Sequence, residues 1–354
     1  MIPERLTAQL LAGTPARDPV AVVERLLAVQ AQDARGARLA IRARSAGLTA
    51  GDVDRALTED RSLLISWLNR GTLHLVTRHD YPWLQALTTP PLLTGNVRRL
   101  AQEGVTPDAA ERAVEVIARS LADEGPLTRE QLRARVEAAG TRTDGQALVH
   151  LLALASLRGL IVRGPMVGKQ HAFVLVRDWL GELGPVSRDR ALAELARRYL
   201  AGHGPADPRD LAKWSGLPLR DARAGLEAIA SELEVRPDGL VTLAGQPAAA
   251  QLPPPRLLGA FDPLLMGWTS RTAILGDHDS TVVTGGIFRP FALVGGRGVA
   301  TWRVASDQVE IAPFARVSRA DRAALEIDAE AVARFLGLAP KLTKARQSSL
   351  GVRA

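Results

Sequence analysis

Along the first 80 residues the spacing of apolar positions changes from helical to strand-like. Val20, Val23, Leu26 and Leu27 fall on one helical face, which predicts a helix from Asp18 to Val29 with Asp18 as N-cap and Pro19 at the first helical position. Short helices are also predicted from Glu4 to Leu11, from Ala37 to Ala46 with Gly47 closing it, and from near Thr49 through Asp52 to Thr58. Beyond them, Leu63-Leu64-Ile65-Ser66-Trp67-Leu68 and Gly71-Thr72-Leu73-His74-Leu75-Val76 predict two strands joined by a tight turn at Asn69-Arg70.

The same order, helices and then a hairpin, returns twice. Residues 81–105, with Tyr81-Pro82-Trp83 and Pro90-Pro91, predict a connector with helical pieces. Helices are then predicted from Pro107 to Ala122 behind the cap Thr106, from Leu127-Thr128 to Ala138, and from Asp144 to Arg158, followed by strands over 160–163 and 172–176. A third set has helices near 188–200, 208–214 and 219–233, with strands over 233–236 and 240–243 turning at Asp238-Gly239. Gly125-Pro126-Leu127-Thr128-Arg129-Glu130 recurs 79 residues on as Gly204-Pro205-Ala206-Asp207-Pro208-Arg209, as tandem units would. The expected fold is α+β: three tandem winged-helix modules over 1–80, 106–185 and 186–250, and a β-rich portion over 251–354.

That last portion begins at the proline-rich Gln251-Leu252-Pro253-Pro254-Pro255. Strands are predicted over 271–275, 281–284, 292–294, 299–304 and 308–314, then a closing helix from Arg319 to Phe335. The tail from Lys341 to Ala354 carries Lys341, Lys344, Arg346 and Arg353 and no acid, so it is expected to lie solvated or against phosphates.

Charge selects the class of partner. A net charge of +7 favours polyanions, nucleic acid first. Only four of the 45 basic residues are lysine; the planar arginine fork suits phosphate, although codon usage in a GC-rich genome gives the same bias. The absence of cysteine excludes disulfides, thiolate metal sites and a thiol nucleophile, which fits a cytoplasmic protein, and no apolar run reaches membrane-spanning length. There is no phosphate-binding glycine loop, His-Glu-x-x-His or Gly-x-Ser-x-Gly, and the six histidines are scattered, so neither metal nor cofactor is expected. Asp277-His278-Asp279 reads as a turn between two strands, or as a hairpin tip that touches DNA through His278.

One short pattern carries candidate chemistry. In Val29-Gln30-Ala31-Gln32-Asp33 an extended chain puts Gln30 and Gln32 on one side and Ala31 on the other. Alone, the pattern also fits two solvated amides at a helix end. Four stretches together, in this order, resemble the AlkZ-like DNA glycosylases over essentially the whole chain: this one; Arg70-Gly71-Thr72-Leu73-His74-Leu75-Val76; Leu258-Gly259-Ala260-Phe261-Asp262-Pro263-Leu264-Leu265-Met266-Gly267-Trp268; and Gly286-Ile287-Phe288-Arg289-Pro290 with Thr301-Trp302-Arg303. Gln32 resembles the AlkZ branch, since the YcaQ branch has Asp there.

The resemblance implies three winged helices around a basic DNA channel, with Gln30 and Gln32 as catalytic residues. It also implies excision of N7-alkylated purines from double-stranded DNA, in some members unhooking of interstrand crosslinks, and self-resistance to a DNA-alkylating antibiotic. A cationic base leaves neutral and needs no general acid, so two amides that orient water suffice. Asp33 is expected to cap or support; with no lysine near the motif a monofunctional enzyme is expected, and three unequal copies in a single chain suit a monomer. Arg35, Arg38, Arg70, Arg98, Arg99, Arg271, His278 and Arg289 are the candidate DNA contacts, while Trp67, Trp268 and Trp302 are expected in the core. Two rivals remain: a non-enzymatic DNA-binding regulator built from the same modules, and a weaker one, an ATP- or metal-using enzyme in the C-terminal portion.

Overall fold

The structure is a computed structural model that describes residues 1–338. Its first half is organised by one antiparallel sheet drawn from three separate stretches of chain. The strands are β1 (Val29–Gln30), β2 (Leu63–Trp67), β3 (Leu73–Thr77), β4 (Ile161–Val167) and β5 (Gln170–Leu175), in the spatial order β1-β3-β2-β4-β5. The two hairpins expected in separate modules thus share a sheet, with Ile65 of β2 opposite Arg163 of β4 at the seam.

Both faces of this sheet are covered, which explains the unbroken apolar run of β2. Leu63, Ile65, Trp67, Leu73 and Leu75 face a core that includes Ala113, Ile117, Leu132 and Leu151 from the helices Pro107–Glu124, Arg129–Ala138 and Ala147–Leu157. Leu64, Val76, Val162 and Val174 face another, with Tyr81, Leu84, Leu195 and Tyr199 from the helices Tyr81–Thr88 and Arg188–His203. Each such Leu or Val contributes about 1.5–3 kcal/mol by leaving water.

Helix starts follow the capping residues in the sequence. Asp18 accepts from the Val20 amide to open Pro19–Leu26, and Thr49 with Asp52 forms a capping box at Ala50–Thr58. Thr128 with Gln131 and Asp207 with Asp210 do the same at Arg129–Ala138 and Pro208–Ser215. The helix expected to reach Val29 stops at Leu26 instead. Leu27 turns to φ 64, and Val29 and Gln30 pair with Leu75 and His74; edge pairing outweighs the helical propensity of the intervening residues.

The third helical set ends in a small hairpin of β6 (Leu233–Val235) and β7 (Val241–Leu243). The C-terminal portion contains β8 (Arg256–Leu258), β9 (Val283–Thr284), β10 (Ile287–Phe288), β11 (Phe291–Val294), β12 (Arg297–Ala305) and β13 (Gln308–Pro313). A four-stranded sheet runs β13-β12-β11-β8, and the closing helix Arg319–Phe335 buries Leu325, Val332 and Phe335 with Leu257, Ala300 and Trp302.

Two expected strands are corrected. Residues Thr272–Leu275 and Asp279–Val282 are short helices, and the pair β9–β10 starts only at Val283. Ile274 and Leu275 are both buried; a strand would send one of them outward, whereas a helical turn buries both. Asp277-His278-Asp279 is therefore not a hairpin tip: Gly276–His278 is a 3-10 turn between these helices, and the His278 ring packs on Phe314 with centroids 4.8 Å apart. The basic tail over 341–354 lies outside the described residues.

A polar knot ties the N-terminal helices to the C-terminal portion. Arg44 and Asp262, both fully buried, form a bidentate pair at 2.8 and 2.9 Å, and Gln9 Oε1 accepts from the same guanidinium. Trp268 and Trp302 are buried as well, and their indoles donate to the carbonyls of His203 and Leu258. Gly36 permits this docking: a Cβ there would stand 2.3 Å from the Ala260 carbonyl oxygen.

Candidate active site

The two glutamines sit where the short strand β1 closes the edge of the sheet. Val29 and Ala31 point into the helical core, and the Ala31 amide donates to Leu73 O at 2.7 Å. Strand alternation then places Gln30 and Gln32 on the opposite side. Gln30 is buried and Gln32 exposed. The Gln30 Oε1 accepts from Arg70 Nη2 at 3.1 Å, and the Gln32 Oε1 accepts from the Leu73 amide at 3.3 Å.

A guanidinium and a backbone N–H only donate, so each carboxamide must turn its oxygen toward these partners. The amide groups are thereby fixed, with one lone pair of each oxygen still free. Asp33 is committed elsewhere: its carboxylate accepts from the Gly36 amide and caps the helix Ala34–Arg42.

Arg70 is held as tightly as the residue it holds. It occupies the hairpin turn at φ 58, and its second terminal nitrogen donates to the Trp214 carbonyl, 144 residues away. Gly216, left-handed at φ 77, follows the helix Pro208–Ser215, and a Cβ there would lie 2.9 Å from Arg70 N. Only glycine allows so close an approach. Burial pushes the Arg70 pKa down to about 10, which leaves it charged at neutral pH.

His74 lies directly across the strand pair from Gln30. Burial, reinforced by the charge of Arg70, pushes its pKa down to about 3, so the ring is neutral. Its Nδ1 stands 3.0 Å from Thr72 O, which accepts, so the hydrogen sits on Nδ1 and the lone pair on Nε2. Ser66 follows in the same cross-strand row with its hydroxyl against that of Tyr81, and both amide atoms of Asn69 are buried without a partner among the described residues. Neither His74 nor Asn69 had a role in the sequence reading; pairing register, which sets His74 opposite Gln30, was the signal that would have found the first, and no local signal marks Asn69.

The remaining arginines differ in what they hold. Arg35 is exposed in the first turn after Gln32. Arg38 pairs with Asp54, its Nε 2.8 Å from Oδ1. Arg271 pairs with Asp279 at 2.7 and 3.1 Å, and the exposed Arg289 donates to Thr281 O. The segment carrying Arg271 is tied to the same helix as Arg70: Lys213 Nζ donates to Thr269 O at 3.1 Å, and the Thr269 amide donates to Asp210 at 2.7 Å. Arg98 and Arg99 are exposed on the helix Leu93–Gln102, which docks against the neighbouring helix through Asn96 and the His150 carbonyl; no contact joins them to the glutamines among the described residues.

Among the described residues no helix is long and apolar enough to cross a membrane, and no three His, Asp or Glu gather as a metal site.

Comparison with known proteins agrees over nearly the full length. The sequence profile described as DNA glycosylase AlkZ-like matches residues 23–335. An interstrand DNA cross-link repair glycosylase of Streptomyces sahachiroi is 29% identical over 339 residues, 90% of each chain. The solved structure of Streptomyces sahachiroi DNA glycosylase AlkZ superposes with a TM-score of 0.76 at 27% identity, covering 95% of this chain and 96% of that one. With a match from Val23 to Phe335 that takes in both glutamines, the chain belongs to the AlkZ-like family of DNA glycosylases.

Proposed function

We propose that the chain hydrolyses the N-glycosidic bond of N7-alkylated purines in double-stranded DNA, with Gln30 and Gln32 orienting the attacking water. The observation that carries this is the neutrality of the motif. Its two side chains are amides with oxygens turned toward donors, and the adjacent carboxylate of Asp33 caps a helix. Such a pair neither protonates a leaving base nor strongly deprotonates water.

Consecutive residues on one side of a strand are about 7 Å apart, a span that one water bridges. If the free lone pair of each oxygen accepts one water hydrogen, a lone pair of the water faces the anomeric carbon. A purine alkylated at N7 supplies the rest, because it departs neutral while positive charge develops on the sugar. Arg70 acts as a positioning residue that keeps the Gln30 oxygen in place, and the neutral His74 supports the same row.

In this reading the helix–hairpin repeats are three winged helices over 1–80, 106–185 and 186–250, with the C-terminal portion completing a basic channel. The enzyme is monomeric and monofunctional. Arg35, Arg98, Arg99 and Arg289, all exposed, supply phosphate contacts. The cross-link repair named for the Streptomyces relative extends the proposal to crosslinked purines, and thereby to self-resistance against a DNA-alkylating antibiotic. Family membership favours this over the regulator reading.

The test is a time course with a duplex carrying one N7-methylguanine beside an unmodified control. Release of methylguanine with an intact abasic strand is expected, and none from the control. Release of normal guanine overturns the assigned chemistry.

A further inference from the structure

Three cationic or potentially cationic side chains gather on the other face of the central sheet without a carboxylate of their own. Arg163 on β4 lays its guanidinium over the rings of both Trp67 and Phe173, 4.9 Å from each centroid, and those rings stack on each other at 6.5 Å. Arg129 opens the helix Arg129–Ala138 two residues after Leu127, whose backbone pairs with Phe173. His171 on β5 stands opposite Met166.

Each of these groups has unused hydrogen-bonding capacity. Among the described residues, Nε of Arg163 and Nε of Arg129 are buried without a partner, and the His171 ring meets only the Gly164 backbone. The nearby acid Asp54 is engaged by Arg38. The charges also oppose one another: Arg129 adds to the burial that pushes the Arg163 pKa down to about 10, and after burial Arg38 and Arg163 are what press His171 to about 4. Like charges packed this way are destabilising until an anion joins them.

We infer that Arg129, Arg163 and His171 form a binding site for one backbone phosphate of the DNA substrate. The planar guanidinium fork matches phosphate oxygens, and stacking on Trp67 and Phe173 fixes its orientation. β4 lies two strand spacings from β3, about 10 Å; the Leu73 amide on β3 holds Gln32, whose side chain lies on the opposite face of the sheet from Arg163, so the site takes a phosphate across the sheet from the glutamines. This inference rests on the chain's acting on duplex DNA and is independent of which base is released.

The experiment is a binding titration of the full-length protein with lesion duplexes in which single phosphates are replaced, one position at a time, by neutral methylphosphonates. For the wild-type protein one position should weaken binding about tenfold. For Arg129→Gln/Arg163→Gln the natural duplex should bind about tenfold more weakly, the slope of log K against log salt should fall by about 1, and that methylphosphonate should have no further effect. Arg129→Gln alone, which leaves the Trp67–Arg163–Phe173 stack intact, should show the same coupling at smaller amplitude, and guards against a folding defect in the double variant. Wild-type affinity and salt slope in both variants, or equal methylphosphonate penalties in wild type and variants, overturn the site. Coupling without any base release keeps the phosphate site and removes the proposed reaction.

Discussion

The knot at Arg44 and the hairpin turn at Arg70 use the same side chain for different ends. Arg44 is fully buried and meets a carboxylate, so its charge is cancelled where it lies. Arg70 meets only neutral oxygens, the Trp214 carbonyl and the Gln30 amide. Around Arg44 both terminal nitrogens are engaged, by Asp262, Gln9 and the Ala40 carbonyl, and Nε alone of the guanidinium lacks a partner. Around Arg70 the structure leaves a free lone pair on each glutamine oxygen and both amide atoms of Asn69 without a partner. Each region includes residues of the stretches that resemble the family, Asp262 in one and Arg70 in the other, and the difference teaches that a matched stretch can hold either a compensated charge or one left with neutral partners only.

The comparison is broken most severely by removing the amides. Gln30→Ala/Gln32→Ala should lower single-turnover release of N7-methylguanine by at least about 100-fold, the scale of losing one oriented polar group at a reacting centre, while Kd for the lesion duplex stays within about threefold. If release persists at the parental rate, the two glutamines do not carry the chemistry.

Next in size is the knot. Asp262→Asn leaves Arg44 with a buried, uncancelled charge and should cost about 3–5 kcal/mol in urea unfolding. Unchanged stability would show that the knot is not what joins residues 9, 44 and 262.

The smallest effect sharpens the other side. Arg70→Lys keeps the charge and loses the fork, so it should reduce the release rate about tenfold with little change in apparent KM and with a stability loss of about 1–2 kcal/mol. Arg70→Met should be slower still. A pure loss of DNA affinity, with the rate at saturation intact, would return Arg70 to the list of phosphate ligands.

Much of this was legible from residues close in sequence. The caps Asp18, Thr49, Thr106 and Thr128, the hairpin at Asn69-Arg70 and the alternation across Gln30-Ala31-Gln32 are local signals, and all appear in the structure. The Gln-Ala-Gln stretch gained meaning only through the accompanying motifs. The strand misread at Ile274-Leu275 came from two adjacent apolar residues that suit either period. What joins distant parts was not legible: the seam of Ile65 and Arg163, the pair of Arg44 and Asp262, and the hold of Trp214 on Arg70 each depend on contacts about 100 or more residues apart. Arg163 read as one arginine among many until the stack of Trp67 and Phe173 gave it a place.

The close approach of Gly216 to Arg70 sets an order on synthesis. The glutamine strand and its hairpin are complete once residue 77 has been made, yet the carbonyl that steadies Arg70 belongs to residue 214. A nascent or prematurely ended chain therefore carries both amides without the brace that aims one of them. On the proposed reading of the glutamines, the site is complete only once residue 214 has been translated.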